Sequence, residues 1–220
     1  MDDPSVEGIS KIRLKGEELW LLPDKALYWP GKETLVVSDI HLGKAGHFRK
    51  HGIPVPAVVH HHDLYILTAL CQRYEIQHLI FLGDLFHSDP NAQWQQFEDW
   101  TRQYATPQMT LVKGNHDILP DNNYTDLGLG LVEELILGPF LWTHEQESKE
   151  GYYNISGHLH PAIRLRGAAK QGMKIPCFYF CQNHGYMPAF GQFTGLYALK
   201  KKNGDKAFAI ANGQVISMDR

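Results

Sequence analysis

Short apolar runs recur along the first half of the chain, and each of them stops at a polar or charged residue. The runs cover residues 34–37, 79–82 and 109–112. Continuous apolar runs of this length are typical of strands that are buried on both faces of a sheet. Apolar residues at three- and four-residue spacing between the runs predict two helices, over residues 57–74 and 92–104. This alternation predicts an α/β fold.

Each of the two predicted helices has one apolar face that we expect to lie in the core. The residues on those faces are Val58, Leu64, Leu67 and Leu70 in the first helix and Trp94, Phe97 and Trp100 in the second. The first helix also carries three consecutive histidines, at positions 60–62. Successive helical residues point about 100° apart, so these three histidines cannot hold one metal ion together.

The rest of the chain shows the pattern of short strands. An antiparallel entry segment is predicted over residues 9–29. After a polar loop, further strands are predicted over residues 131–137, 140–143, 152–156, 163–166, 175–180, 196–199, 207–211 and 215–218. No linker, repeat or low-complexity segment interrupts this pattern. We therefore expect one domain that spans residues 1–220.

Composition bears mainly on the compartment. The chain is 43% hydrophobic and 20% charged with a formal net charge of −3, so it lacks the overall basicity of a dedicated nucleic-acid binder. Three cysteines favour a reducing compartment, and Cys177 and Cys181 are expected to be buried thiols. The sequence shows no signal-peptide pattern and no apolar stretch of about 18 residues. We expect a soluble cytoplasmic protein without a membrane segment.

The polar residues at the strand ends carry the candidate chemistry. They are Asp39 and His41, Asp84, Asn115 and His116, His144, and His158 and His160. Buried ionisable and amide groups need partners, and a divalent cation is a partner that all of them can share. This mixture of nitrogen and oxygen ligands suits Mn²⁺, Fe or Zn²⁺ better than Ca²⁺. In an extended segment Asp39 and His41 would point to the same side, as would His158 and His160.

Five motifs, in this order, resemble those of the calcineurin-like metallophosphoesterases: Asp39-Ile-His41, Gly83-Asp84, Gly114-Asn115-His116-Asp117, His144 and Gly157-His158-Leu-His160. The resemblance implies a four-layer α/β/β/α sandwich with two divalent metal ions at the carboxyl ends of the strands. Mn²⁺ is the first candidate, and Fe and Zn²⁺ are the alternatives. The first metal would be held by Asp39, His41, Asp84 and His160. The second would be held by Asp84, Asn115, His144 and His158, so that Asp84 bridges the two.

The same resemblance implies the catalytic roles. A hydroxide that bridges the metals would attack the phosphorus. His116 would stabilise the pentacovalent state or protonate the leaving oxygen, and Asp117 would orient His116. His87 departs from the Asp or Arg that some members carry in this region, and we expect it near the metals, in contact with substrate, or on the plain surface.

Three stretches, at residues 39–54, 83–88 and 188–195, resemble the bacterial ligase-associated DNA-damage-response endonucleases, the PdeM branch of this superfamily. That resemblance implies an association with DNA repair. It also implies a ligase, a helicase and an exonuclease as partners.

The glycine-rich loop of residues 43–52 bears on the choice of substrate. Its cationic side chains follow a strand end, so we expect them to rim the site and contact phosphate, or else to form a solvated charged loop. The residues expected to contact substrate are Lys44, His47, Arg49, Lys50, His87 and Arg164. Residues 200–202 are three lysines that we expect to be solvated.

The leading hypothesis is a Mn²⁺-dependent phosphodiesterase that hydrolyses DNA. A small-molecule phosphoesterase is the first alternative, with a cyclic nucleotide, a dinucleoside polyphosphate or a lipid-linked diphosphate as its substrate. A non-catalytic scaffold with the same fold is the second. The chain argues against the scaffold because it retains every metal ligand of the family motifs and His116.

Overall fold

A seven-stranded sheet forms the N-terminal half of the molecule. The computed structural model describes residues 7–44, 62–86, 92–103, 107–166, 172–192 and 194–219. The strands of the first sheet lie in chain order and are β1 (Ser10–Leu14), β2 (Glu17–Leu21), β3 (Leu27–Trp29), β4 (Thr34–Ser38), β5 (His78–Leu82), β6 (Gln108–Val112) and β7 (Leu129–Val132). Pairing is antiparallel from β1 to β4 and parallel from β4 to β7. The carboxyl ends of β4, β5 and β6 therefore meet at one edge.

Helices pack against one face of this sheet. They are α1 (His62–Arg73), α2 (Ala92–Gln103) and the short α3 (Asp121–Thr125). Leu64, Leu67 and Leu70 of α1 and Phe97 and Trp100 of α2 are buried, in one cluster with apolar side chains of β4, β5 and β6. The two apolar helix faces predicted from the sequence are confirmed for these residues. Val58 and residues 60 and 61 lie outside the described ranges.

A second sheet contains the remaining nine strands. They are β8 (Leu135–Leu137), β9 (Phe140–Thr143), β10 (Tyr153–Ser156), β11 (Pro161–Arg166), β12 (Gly172–Phe180), β13 (His184–Tyr186), β14 (Tyr197–Ala198), β15 (Lys206–Ala211) and β16 (Gln214–Ser217). The strand order is β14-β11-β12-β13-β10-β9-β8, and β15 pairs with β12 and β16. Strands β9, β10 and β13 are parallel, so the ends of β9 and β10 also share an edge.

A shared apolar core holds the two sheets face to face. Trp29 from the first sheet and Phe140, Trp142, Tyr153 and Phe178 from the second are all buried in it. A smaller cluster covers the outer face of the second sheet. The predicted α/β/β/α sandwich is confirmed in its α/β class and its two stacked sheets, and the described helices form its outer layer on the first sheet. Its extent as one domain over residues 1–220 stays a prediction.

Some local expectations differ from the structure. The apolar pattern predicts one strand over residues 131–137, but the chain forms β7 in the first sheet and β8 in the second, because Glu133 and Glu134 carry it from one sheet to the other. Strand β13 was not predicted, because its three residues do not form an apolar run. Cys177 is buried as expected, whereas Cys181 is only half-buried, and both thiols are free. None of the described helices combines the length and apolarity that a bilayer-spanning helix needs.

Candidate metal centre

Three strand ends of the first sheet place polar side chains at one edge. Asp39 follows β4, Asp84 follows β5 after one glycine, and Asn115 follows β6 after two residues. These strands are parallel neighbours in register. The pairing continues beyond the strands, because Asp39 N donates to Gly83 O at 3.1 Å and His41 N donates to Asp84 O at 2.9 Å. The side chains therefore emerge next to one another.

The second sheet brings three histidines to the same edge. His144 follows β9, and His158 and His160 follow β10. The backbone N–H of His158 donates to the Asp39 carboxylate, at 3.2 Å and 3.0 Å from its two oxygens. Residue 157 has to be glycine at this junction, since a Cβ there would lie 1.9 Å from the Ser38 hydroxyl. The candidate site thus ties the two sheets together where their strands end.

The backbone at these strand ends is not extended. Asp39, His41, Asp84, His158 and His160 all adopt the left-handed conformation, with φ between 50° and 61°. They account for five of the nine non-glycine residues with positive φ in the described part of the chain. Such conformations cost about 1 kcal/mol or more each and cluster at functional sites. The extended geometry expected for Asp39 and His41 is wrong, although both side chains still reach one site.

Two groups of potential ligand atoms lie at this edge. Asp39, His41 and His160 form the first group, and Asp84, His144 and His158 form the second, with the ligand atoms of each group within 4.8 Å of one another. His158 and His160 thus belong to different groups, and both have a left-handed backbone rather than the extended one assumed from the sequence.

Asp84 belongs to the second group and also faces the first. Its Oδ2 is 3.7 Å from Nε2 of His41 in the first group, and its Oδ1 is 3.4 Å from Nε2 of His144 in the second. Asn115 joins the second group, because its Oδ1 lies 3.1 Å from the same nitrogen of His144. One carboxylate thus offers one oxygen to each group, which is the geometry that a bridging ligand requires.

Carbonyl oxygens lie beside the Nδ1 atoms of two histidines. Nδ1 of His144 lies 3.2 Å from Leu82 O, and Nδ1 of His160 lies 3.1 Å from Gly195 O. A carbonyl only accepts, so a proton on Nδ1 satisfies it, and in that tautomer Nε2 offers its lone pair to a metal ion. The Nε2 atoms are the ones that face the carboxylates, at 3.2 Å from Asp39 in the case of His160. Both rings are thus oriented as metal-binding histidines are.

The charges of the site call for cations. Asp39 and Asp84 are 0% and 2% exposed, and in the described ranges their ion-pair partners within 4 Å are histidines only. Burial would raise the pKa of Asp39, but hydrogen bonds from His160 and Ser38 and the nearby His160 and His144 lower it overall. The carboxylate is therefore ionised at neutral pH. Buried carboxylates with imidazole nitrogens and an amide oxygen fit divalent transition-metal ions.

His116 lies beside the first group. Its ring centroid is 5.5 Å from that of His41, and its backbone N–H donates to Asp84 Oδ1 at 2.9 Å. Asp117 is buried and accepts backbone hydrogen bonds from Gly114 at 2.9 Å and from Leu85 at 3.0 Å. These bonds connect the loop after β5 to the loop after β6. Burial raises the pKa of Asp117 to about 6, against the hydrogen bonds from the Gly114 and Phe86 backbone and with the support of the Asp84 charge.

The predicted substrate-contacting residues are described only in part. Lys44 is half-buried, and Asp84 and Asp39 are the nearby charges that act on it. Burial lowers the pKa of Lys44, and these two carboxylates oppose that shift. Arg164 is exposed on β11, which begins directly after His160. His47, Arg49, Lys50 and His87 lie outside the described ranges, so their roles stay predictions.

Several supporting groups of the site were not identified from the sequence. The hydroxyl of Ser38 donates to Asp39 Oδ2, and the carbonyl oxygens of Leu82 and Gly195 orient two imidazoles. Glu145 lies 3.9 Å from Nε2 of His158. Ser38 directly precedes Asp39, and this position next to a candidate ligand could have identified it as a supporting group. Gly195 lies 35 residues from His160, and no local pattern connects the two.

Comparisons with known proteins agree with this geometry. The model of the calcineurin-like phosphoesterase family matches residues 33–206. The crystal structure of Pseudomonas putida nuclease MPE is similar to this chain at 30% identity, with a TM-score of 0.83, over 96% of this chain and 100% of the other. Among curated protein sequences no significant match is found. The match to the family model covers well over half of the sequence, and the chain belongs to the calcineurin-like phosphoesterase family.

Proposed function

We propose that this metal-dependent phosphoesterase is a dinuclear phosphodiesterase that hydrolyses DNA. The observation that carries the proposal is the position of Asp84, whose two carboxylate oxygens face two separate groups of ligand atoms. A bridging carboxylate is what a two-metal phosphoesterase needs, because both ions must act on one phosphoryl group. The similarity to a nuclease supports a nucleic-acid substrate.

Seven residues would hold the two ions. Asp39, His41, Asp84 and His160 would hold the first, and Asp84, Asn115, His144 and His158 would hold the second. The mixed donor set supports Mn²⁺, with Fe or Zn²⁺ as alternatives. When bound, the two ions would supply positive charge that lowers the pKa of a water molecule and neutralises the charge that develops on the phosphate oxygens.

His116 would act on the leaving oxygen. It lies next to His41 and belongs to neither ligand group in the described residues. This position beside the proposed metal ligands supports a proton or a hydrogen bond donated to the leaving oxygen. We propose that Asp117 acts as a positioning residue, because its carboxylate holds the loops that carry Asp84 and Asn115. The predicted role of Asp117 in orienting the His116 ring remains part of the proposal.

Cations beside the ligands would bind the substrate phosphates. Lys44 is near enough to Asp39 and Asp84 for their charges to act on it, which supports a contact with the scissile phosphate. Arg164 would contact a phosphate farther from the reaction. Contacts to phosphate carry no base specificity, so cleavage without sequence preference is expected.

We also propose a cytoplasmic location and association with DNA-repair proteins, namely a ligase, a helicase and an exonuclease. The three cysteines, which favour a reducing compartment, support the location, and the resemblance at residues 39–54, 83–88 and 188–195 supports the association. Affinity purification of the tagged protein from its native cells, with identification of the bound proteins, tests the association.

A substrate panel tests the proposed reaction. The Mn²⁺-loaded protein would be assayed on bis-p-nitrophenyl phosphate, p-nitrophenyl phosphate, cyclic nucleotides, and single- and double-stranded DNA. We expect turnover of the diester and of DNA, and at least about 100-fold loss in Asp84→Ala, because removing a catalytic metal ligand removes the dominant electrostatic contribution. Turnover that survives in Asp84→Ala would overturn the mechanism, and turnover of cyclic nucleotides alone would favour the small-molecule alternative.

A further inference from the structure

The hairpin of β11 and β12 projects beyond the edge at which the metal centre lies. Ser156, at the end of β10, is the cross-strand partner of Tyr186 in β13, and Tyr186 is in turn the cross-strand partner of Tyr179 in β12. The seven residues of β12 from Gly172 to Phe178 therefore extend past the end of β10, over about 23 Å at 3.3 Å per residue. β11 begins at Pro161, next to His160. The hairpin thus starts at the centre and leads away from it.

The two faces of this hairpin differ in character. Cys177 and Tyr179 of β12 belong to the cluster on the outer face of the second sheet, whereas Phe178 belongs to the core between the sheets. Because side chains alternate along a strand, Lys174 lies on the same face as Phe178. This is the inner face, on the side of the first sheet and of its strand ends at the metal centre.

Two cations lie side by side on that inner face. Lys174 is the cross-strand partner of Arg164, and a Cβ at Gly172 would touch the Arg164 side chain at 3.5 Å, which places Arg164 on the same face. Both side chains are exposed. The basic arm is defined here as Arg164 and Lys174.

The charges of the arm are not balanced within the fold. Like charges directly opposite on neighbouring strands are destabilising, and within the described ranges no carboxylate lies within 4 Å of either cation. Lys174 donates to a neutral acceptor, Leu196 O, which leaves its charge uncompensated. The sequence contains no Asp or Glu between residues 151 and 204, a stretch that holds seven of the 21 Lys and Arg residues. An anionic ligand is the natural partner of such a surface.

The opposite side of the centre has the opposite charge. A polar cleft of about 390 Å³ adjoins His144 and Asn115, and three glutamates contribute to its walls, namely Glu133, Glu145 and Glu147. Lys113 is the one cation among its lining residues. A polyanion that reaches the metals is therefore repelled on this side and attracted on the side of the basic arm.

We propose that the basic arm binds the phosphate backbone of a nucleic-acid strand that extends from the metal centre along the β11–β12 hairpin. The proposal rests on the proposed phosphodiesterase function and adds the path of the substrate. Arg164 is four residues beyond His160, at most about 13 Å along an extended chain. The arm therefore contacts phosphates next to the scissile one, and it distinguishes a polynucleotide from a small diester.

The test compares Lys174→Ala with Lys206→Ala in the Mn²⁺-loaded full-length protein. Lys206 is also an exposed strand lysine of the second sheet, but it pairs with Phe180 at the far end of β12. A fluorescein-labelled single-stranded oligonucleotide reports binding by anisotropy, and the same oligonucleotide and bis-p-nitrophenyl phosphate report hydrolysis. Lys174→Arg tests whether the charge itself is needed, since Lys174 also donates to Leu196 O at 2.8 Å.

We expect Lys174→Ala to weaken oligonucleotide binding about fivefold and to lower the slope of log affinity against log salt by about 0.7, the value for one lost phosphate contact on a single strand. Lys206→Ala should leave both unchanged, and Lys174→Arg should restore both. The loss of oligonucleotide hydrolysis should exceed any loss on the small diester. Unchanged binding and an unchanged salt slope in Lys174→Ala would overturn the arm. Failure of the wild type to hydrolyse either diester would instead overturn the proposed function. The anisotropy measurement would still show whether the basic arm binds the oligonucleotide.

Discussion

The imidazole of His144 occupies the space that a side chain at position 83 would fill. A Cβ on Gly83 would lie 2.0 Å from Nδ1 of His144, and Gly83 also has a φ of +76°. The close approach lets Nδ1 of His144 reach Leu82 O and Nε2 reach Asp84. The glycine of the Gly-Asp motif is thus needed by its neighbour in the second sheet as well as by its own turn.

Gly83→Ala therefore should displace His144 and disrupt the second ligand group. We expect diester hydrolysis to fall about 100-fold or more, since a shift of about 1 Å in a catalytic group has that effect. Gly128→Ala is the matched control, because Gly128 has a φ of +83° and nothing within 4 Å of the added Cβ. It should lose about 1–2 kcal/mol of stability from the left-handed backbone and retain activity. Equal activity losses in the two variants would contradict the steric account.

The left-handed backbone at His158 can be tested with alanine and glycine variants, because it should reverse their usual order of stability. His158 is exposed, with a φ of 61°. In the metal-free protein we expect His158→Gly to be more stable than His158→Ala by about 1 kcal/mol, because alanine is strained in this conformation. At Arg13, an exposed position in β1, the alanine variant should be the more stable by about 0.5–1 kcal/mol. Urea unfolding measures both pairs, and a more stable alanine variant at position 158 would refute the strain.

His116 should affect the rate without affecting metal content. If it donates to the leaving oxygen, His116→Gln should lower kcat for a diester about 10²- to 10⁴-fold, the usual contribution of general acid catalysis. The variant should still bind two Mn²⁺ per chain, because His116 lies outside both ligand groups of the described residues. Elemental analysis of the purified variant measures the metal. Loss of one ion would make His116 a ligand instead.

Asp63 makes stability depend on pH away from the metal centre. Burial raises the pKa of this α1 residue to about 6 from 3.8, against the opposing effects of His62, Lys25 and the Gln192 backbone. Between these two values the folded chain binds a proton that the unfolded chain has lost, so the free energy of unfolding declines as pH rises. Relative to Asp63→Asn, the wild type should lose up to about 3 kcal/mol between pH 4 and pH 7. Urea unfolding measures the free energy of unfolding of both proteins at each pH. If the two values changed with pH in parallel, the proposed difference in the pKa of Asp63 between the folded and unfolded chain would be refuted.

The sequence predicted most of the strands, the two helix faces and the residues that meet at the strand ends. Those features depend on local patterns, as in Trp94, Phe97 and Trp100, or on the rule that parallel strands share an edge. The motifs then supplied the division of His158 and His160 between two metals. The residues alone did not predict this division, because simple alternation assumes an extended backbone and places both side chains on one side, whereas both residues are left-handed.

Long-range relationships account for the remaining differences. Asp117 was expected to orient His116, yet its described bonds reach Gly114 and Leu85, and Leu85 belongs to another strand end. Lys174 was not singled out because its significance depends on facing Arg164 across a hairpin. The net charge of −3 is a sum over the whole chain, so it does not reveal that a basic arm and an acidic cleft are separated in space. Pairing across strands and sheets determines these properties, and a local sequence pattern does not contain it.

The central claim is that Asp84 bridges two metal ions. Anomalous diffraction from crystals of the protein grown with Mn²⁺ tests it most directly. The account predicts two peaks per chain, one among Asp39, His41 and His160 and one among Asn115, His144 and His158, with one oxygen of Asp84 at coordination distance from each. A single peak, or two peaks of which only one contacts Asp84, would contradict it.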